Sequence, residues 1–473
     1  MYSVNDSNNL PIDKIWELYG KHVNSSQVKL FKRFSFSNDL VESALGSWIT
    51  LTNQRKILDL TGGIGVLNHG HNHPRIIKAR NEFISKNKME VHKNFFSPYI
   101  AALSSNISEI LPGDLNYSFY CNSGAEAVEG AVKLAFKFHE GKRKYILHSD
   151  ISFHGKLLGA SGLTGSPENH FRFPTIDNIR NFRYNDISSV ESRIEELRDL
   201  NGISEIYALI VEPLNASTML NCSDEFLKRL RELTEKEGIC LIFDEVYTGW
   251  AKTGWLFNFM RVEGLVPDIL TYAKSFGGGK SSISGYSYRN KLAKSYDNLK
   301  DATLHSTTYN GFGEETITAI EAINIVIEEE FIEKGKVVEN RIKTEILPFV
   351  KDSKLVKEIR GSGALWGLIL NDTFFESIFK VAKGLIPKRS IFNDERFLKK
   401  LMAGSVVEYL YSEHNILTYI GYNVENPVII SFPLVSTKND IDYAVEKIKL
   451  LLNNNGNEIL LKFFKKQITN LVS

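Results

Sequence analysis

The chain has 473 residues and a formal net charge of +1; 43% of it is hydrophobic, 24% charged and 11% aromatic. That is enough apolar material for a large globular core in two or three structural parts, and a near-zero net charge gives no footing for a nucleic-acid partner. No apolar run approaches the ~20 residues of a membrane span. Three cysteines, Cys121, Cys222 and Cys240, do not make a disulfide framework and point to a reducing, cytoplasmic setting. The opening MYSVNDSNNLPIDK has neither a basic nor an apolar stretch and does not read as a signal peptide.

In chain order, Ile12 to Tyr19 is expected to form a short helix. Leu40 to Leu51 is expected to give one or two strands and Arg55 to Leu60 another. Gly62, Gly63 and Gly65 then predict tight backbone close to something else. His69, His71 and His73 sit two apart in a glycine loop with no supporting carboxylate or cysteine, so no metal site is expected. Pro74 to Lys88 and Ala101 to Leu111 have helical spacing; between them lies the aromatic stretch Phe95 to Tyr99. Tyr117 to Cys121 reads as a strand that meets Ser123, Gly124 and Ala125 and then a helix. Amides at a helix start carry partial positive charge, and small residues there let a phosphate approach. An ordinary serine cap explains the same residues. Further strands are expected at Tyr145 to Ser149 and at Ile206 to Val211, which ends in Glu212-Pro213. The alternation of strands with helices predicts a doubly wound, mostly parallel sheet.

The most informative stretch runs from Ile239 to Gly285. One apolar run, Ile239 to Phe243, ends in Asp244 and Glu245. A second, Ile269 to Ala273, ends in Lys274 and is followed by Gly277, Gly278 and Gly279. Buried parallel strands read as continuous apolar runs, and ligands collect at their carboxyl ends. A free lysine titrates near ~10.4, so only about one in 2,500 is a neutral nucleophile at pH 7. Lysine becomes useful as a Schiff base on a carbonyl cofactor. Pyridoxal phosphate is such a cofactor, and its ring nitrogen takes an acidic partner. Lys274 and Asp244 suit those two tasks. A salt-bridged aspartate and a surface lysine before a glycine loop is the plain alternative.

In order, FDEV, TG, KTG, PDILTYAK and GGG resemble the class III aminotransferases, the ω-aminotransferase-like members of pyridoxal phosphate fold type I. The resemblance runs from Phe36 to Val338, resumes at Arg360 to Leu370 and is fainter at Val428 to Leu434. It implies an α/β fold and pyridoxal 5′-phosphate as cofactor. Gly124 and Ala125 would hold the phosphate. Phe153, in Phe153-His154-Gly155, would stack on the ring, a contact a flat apolar face serves well. Glu212 would stand close to cofactor and substrate. Thr308 would reach the phosphate of a second subunit, which implies a homodimer with shared sites. The stretch Phe95 to Tyr99 would line the substrate entrance.

The chain also departs from the family. Tyr247 stands where many members have Gln near the ring oxygen; a phenol can still donate a hydrogen bond. Lys252 replaces an Arg, and Gly313-Glu314 stand near a missing Asn-Pro; Glu314 to Val350 is then expected to be long and helical and to lead into the small domain. The family's carboxylate-clamping Arg falls near Ile429, where nothing is basic. Lysine does not reproduce that planar fork. Either another residue holds a carboxylate, with Arg289 next in line, or the main substrate has none there. Residues 371–415 are longer than the usual connection, with an apolar stripe of Phe374, Phe375, Ile378, Phe379 and Leu385 beside Lys380, Lys383 and Lys388. A surface helix or a substrate lid would explain it. The tail from Glu458, with Phe463, Phe464, Lys465 and Lys466, reads as a packed helix or a docking segment.

The expected organisation is an N-terminal segment 1–55, a cofactor-binding domain 56–340 and a small α+β domain 341–473. The expected reaction is ping-pong transfer of an amino group from a small-molecule amine donor to a carbonyl acceptor. Lys274 and Asp244 are its catalytic residues, and Ser123, Gly124, Ala125, Phe153, His154, Glu212, Tyr247 and Thr308 bind the cofactor. An aminomutase or decarboxylase of the same fold would use the same residues. A non-catalytic scaffold would have no need to keep Asp244 and Lys274.

Overall fold

The computed structural model describes residues 1–165, 175–371, 395–421, 423, 425–454 and 456–463, with backbone alone at 395–398. Its centre is a seven-stranded sheet. The strand order is Tyr117–Cys121, Ser284–Tyr288, Ile269–Tyr272, Cys240–Asp244, Ile206–Val211, Tyr145–Ser149 and Ile179–Phe182. Every neighbouring pair is parallel except the two made by Ser284–Tyr288, which runs against both its neighbours.

The middle strands Ile206–Val211, Cys240–Asp244 and Ile269–Tyr272 are buried at every position and mostly apolar because both faces are covered. Ala208, Ile210 and Ile242 pack with Val128, Ala131 and Leu134 of the helix Gly124–Phe138. Leu209, Val211, Leu241 and Phe243 point the other way, into the cluster that holds Phe226, Leu227 and Leu230 of the helix Asp224–Lys236. Each such fully buried side chain contributes about 1.5–3 kcal/mol, so this double-sided packing fixes the register that sets Asp244 at the strand's end.

Two smaller sheets flank this one. Val41–Leu45, Trp48–Leu51 and Lys56–Asp59 pair antiparallel in sequence, and Ile416–Leu417 adds in parallel to Lys56–Asp59. Val356–Ser362, Leu365–Leu370, Val428–Ser431 and Tyr419–Ile420 form an antiparallel sheet.

The structure departs from the sequence-based expectation in two places. The N-terminal segment holds helices Val4–Asn8 and Ser25–Phe31 and a π-helical turn Gly20–Asn24 besides the expected Ile12–Tyr19. The helix after that turn starts where the Asn24 side chain accepts from the amides of Ser26 and Gln27, the usual service of an asparagine cap. The long helix expected over Glu314 to Val350 is three, Gly313–Glu328, Phe331–Glu345 and Leu347–Val350. Its first break is at Glu330, at φ 53, beyond which Phe331 enters the core beside His69 with ring centroids 5.2 Å apart. The apolar stripe from Phe374 to Leu385 and its three lysines lie outside the described residues. The helix Glu395–His414 that follows buries Met402, Val406, Val407 and Leu410. Of the tail, Leu460 and Phe463 are buried, Phe463 lying 6.0 Å from the ring of Phe34; Phe464, Lys465 and Lys466 lie outside the described residues. Among the described residues no helix is long and apolar enough to cross a membrane.

Candidate active site

The carboxyl ends of Cys240–Asp244 and Ile269–Tyr272 lie side by side, Asp244 opposite Thr271. Asp244 is buried and heavily partnered. His154 Nδ1 lies 2.7 Å from its Oδ2, and its Oδ1 accepts from the Val246 amide at 3.0 Å and from Thr271 Oγ1 at 3.2 Å. These bonds fix the carboxylate's orientation before any ligand arrives. His154 is itself buried, and its other ring nitrogen has no hydrogen-bond partner among the described residues.

Lys274 follows the neighbouring strand. Its backbone lies in the left-handed region at φ 49, a costly conformation for a side chain with a Cβ and one that concentrates at functional sites. The neighbouring Ser275 donates from Oγ to the Gly65 carbonyl at 2.7 Å and accepts from the Asn68 amide at 3.3 Å. This binds the glycine loop to the lysine's turn. Gly65, at φ 87, allows no substitute: a Cβ there would lie 2.9 Å from Tyr247 Cζ and 3.2 Å from Lys274 Cδ. The amine Nζ stands 3.8 Å from the centre of the Tyr247 ring. Burial pushes its pKa down to about 8, against the pull of Asp244 and Glu212.

Glu212 closes the third side. It accepts from the Phe153 amide at 2.9 Å and from Asn215 Nδ2 at 2.7 Å. Burial raises its pKa to about 7; His154 opposes the rise and Asp244 adds to it. The fourth side is the start of the helix Gly124–Phe138. Ser123 caps it, with its side chain accepting from the Glu126 amide while Glu126 answers to the Ser123 amide. Ser284 Oγ donates to the Ser123 carbonyl at 2.8 Å, tying the antiparallel strand to this corner.

These groups line one cavity of about 820 Å³, with Ser123, Gly124, Ala125, Phe153, His154, Glu212, Asp244, Tyr247 and Lys274 in its wall. Of the site residues predicted from sequence only Thr308 stands elsewhere: it is exposed and outside the lining of its own chain. Phe95 and Phe96 are likewise exposed and outside it. Arg289 is not at the cavity: its guanidinium bonds Asp114 at 2.5 Å, at the far end of the strand that begins at Ser284. The three loop histidines face different partners, His69 the Ala322 carbonyl, His71 Asp59 and His73 Glu329. The lining also holds Ser217, Lys400, Tyr419, Ile420 and Gly421, which sequence reasoning missed. They come from loops, a short strand and the helix Glu395–His414, none carrying a motif, so only the fold brings them here.

Residues 36–452 match the family model for aminotransferase class III. An ornithine aminotransferase from Toxoplasma gondii, whose structure shows partial occupancy of PLP at its active site, is 19% identical. It aligns over 97% of this chain and 98% of its own with a TM-score of 0.75. An (S)-enantioselective omega-transaminase from Thermomicrobium roseum is 21% identical over 92% of this chain and 96% of its own, TM-score 0.77. A transaminase from the marine bacterium Virgibacillus is 22% identical over 96% and 99%, TM-score 0.77. At these identities the structural likeness speaks for the fold, and the family match carries the rest.

The cavity's chemistry fits pyridoxal phosphate. It offers an oriented carboxylate, an amine of lowered pKa, the flat side chain of Phe153 and a helix start with free amides. At that helix start Gly124 leaves room that no side chain could take, since a Cβ there would lie 2.7 Å from Val246 Cγ1. With an α/β fold built on a mostly parallel sheet and a family match over most of its length, the chain belongs to the class III aminotransferases, pyridoxal 5′-phosphate-dependent enzymes that move amino groups.

Proposed function

We propose that this enzyme moves an amino group between a primary amine or amino acid and an aldehyde or keto acid, with Lys274 and Asp244 as its catalytic residues. The observation that carries the reading is the convergence of the Asp244 carboxylate, the Lys274 amine and the helix start at Gly124 on one 820 Å³ cavity. When bound, the cofactor supplies an electron sink for the carbon that bears the amine. Asp244 would meet the ring nitrogen and keep it protonated, held by His154 and Thr271. Ser123, Gly124 and Ala125 would bind the phosphate through backbone amides. Phe153 would stack on the ring, and Glu212 would stand at its edge. Lys274 would hold the cofactor at rest and move the proton during turnover, a task its lowered pKa suits.

The reading includes a donor without the usual α-carboxylate clamp. In support, Ile429 is fully buried with Leu214, Met219 and Leu365, under Tyr247 and Tyr419. Lys156 and Lys400 bring two further cationic side chains to the cavity wall, which suits an acidic acceptor. A homodimer with Thr308 serving the partner's site is part of the same proposal. The exposure of Thr308 outside the cavity of its own chain supports it.

The test is a half-reaction. Protein loaded with pyridoxal phosphate is mixed with single amines and amino acids and no acceptor. The expected result is loss of the bound cofactor's visible band with one equivalent of carbonyl product, and return of the band on adding a keto acid or aldehyde. A mutase or decarboxylase would turn over without an acceptor. If no amine bleached the band, the reading would fail.

A further inference from the structure

Beside Lys274 the family resemblance leads one to expect an amide side chain, and the structure has a phenol ring with its own support. Lys274 Nζ lies 3.8 Å from the centre of the Tyr247 ring, well inside the ~6 Å at which a cation is attracted to a ring face. The Tyr247 hydroxyl is engaged by that of Tyr419, so it is turned to the opposite wall.

Both tyrosines are anchored from behind. Tyr419 stands on a short strand, opposite the buried Ile429. The Tyr247 turn is pinned by Glu245, fully buried, which accepts from Thr248 Oγ1 at 2.6 Å and from the amides of Asn258 and Phe259 at 2.8 and 2.7 Å. The bare backbone of Gly65 faces both: a Cβ there would strike the Tyr247 ring and the Lys274 stem. The ring therefore has one place to be, and the amine lies on its face.

We propose that the ring of Tyr247, held by Tyr419, is the seat on which Lys274 rests its ammonium group, making Tyr247 a positioning residue that acts through the lysine. This rests on Lys274 being the cofactor-binding lysine. A cation held on a ring face is stabilised as a cation, and a neutral amine gains little there. The ring works alongside Asp244 and Glu212, the acids that face Lys274, and against burial; His154, Lys156, Lys400 and Tyr419 line the same cavity. Two consequences follow. The ring keeps the lysine protonated to a higher pH than the cavity alone would. It also parks the amine on the ring face during the half of the cycle in which the lysine is free.

The experiment reads the lysine directly. Full-length protein freed of cofactor is mixed with pyridoxal phosphate at pH 6 to 10, and growth of the visible band is followed. Each capture forms one C=N bond between the Lys274 nitrogen and the cofactor aldehyde and releases one water, and only the neutral amine attacks. The wild-type rate is expected to rise with an inflection near pH 8. Tyr247→Phe keeps the ring face and should keep that inflection. Tyr247→Met and Tyr247→Leu fill the space without a ring. A desolvated cation–ring contact corresponds to roughly tenfold in the protonation equilibrium, so their inflection should fall by about one pH unit. An unchanged or higher inflection in both ring-less variants, with Tyr247→Phe like wild type, would overturn the proposal. Lys274→Ala reports separately on the reading beneath it: a band that forms normally in that variant would move the cofactor to another lysine.

Discussion

Asp244 shows how much of this site is arrangement and how little is residue type. An aspartate at a strand end is common. One that takes a histidine, a backbone amide and a threonine hydroxyl at once has been aimed. Replacing it by Asn keeps the shape and removes the charge that would meet the ring nitrogen, and it leaves His154 facing an amide. Without that charge the ring nitrogen would lose the partner that keeps it protonated and the electron sink would weaken, so turnover of Asp244→Asn is expected to fall about 100-fold or more. Steady-state kinetics with saturating cofactor would measure this; a loss below tenfold would remove Asp244 from the chemistry. Sequence made Asp244 and Lys274 readable because each ends an apolar run. It made Glu212 and Phe153 readable through short neighbouring motifs. Tyr419 and Lys400 carried no such signal, since a residue reaches a cavity from a loop or helix through tertiary packing, which leaves no local pattern. Arg289 misled for the same reason: nearness in sequence to Gly285 is nearness to the wrong end of the Ser284–Tyr288 strand.

At the scale of elements, the buried strands were the easiest to foresee. Tyr117–Cys121, Tyr145–Ser149 and Ile206–Val211 have the expected bounds; Ile206–Val211, buried at every position, is the plainest, because a strand covered on both faces reads as one apolar run. The direction of Ser284–Tyr288 was not legible, because five residues of serine, glycine and tyrosine say nothing about which way their neighbours run. Helices were foreseen less evenly. Gly124–Phe138 announces itself by a capping box and a buried stripe of small residues. The break at Glu330 does not: nothing in a glutamate marks a left-handed residue, and the turn exists because Phe331 has a place waiting in the core. The short N-terminal helices that were not foreseen, Val4–Asn8 and Ser25–Phe31, bury no residue and so leave no buried stripe in the sequence.

For the whole molecule, the chain's two ends meet in one sheet, where Ile416–Leu417 joins Lys56–Asp59. The glycine loop that grips Lys274's turn starts directly beyond that sheet. The dimer proposed above would give the exposed Phe95 and Phe96 and the outlying Thr308 a task. Sedimentation should give a species of twice 53.6 kDa, and charges placed at Phe95 and Phe96 should weaken it; a monomer that turns over at full rate would remove Thr308 from the site. All of this turns on whether one cofactor ring bridges Asp244 and Lys274. Borohydride reduction of the loaded protein makes that link permanent, and peptide mapping by mass finds the residue that bears it. The account predicts a single pyridoxyl group on Lys274 in stoichiometric amount; the group on any other lysine, or on none, would contradict it.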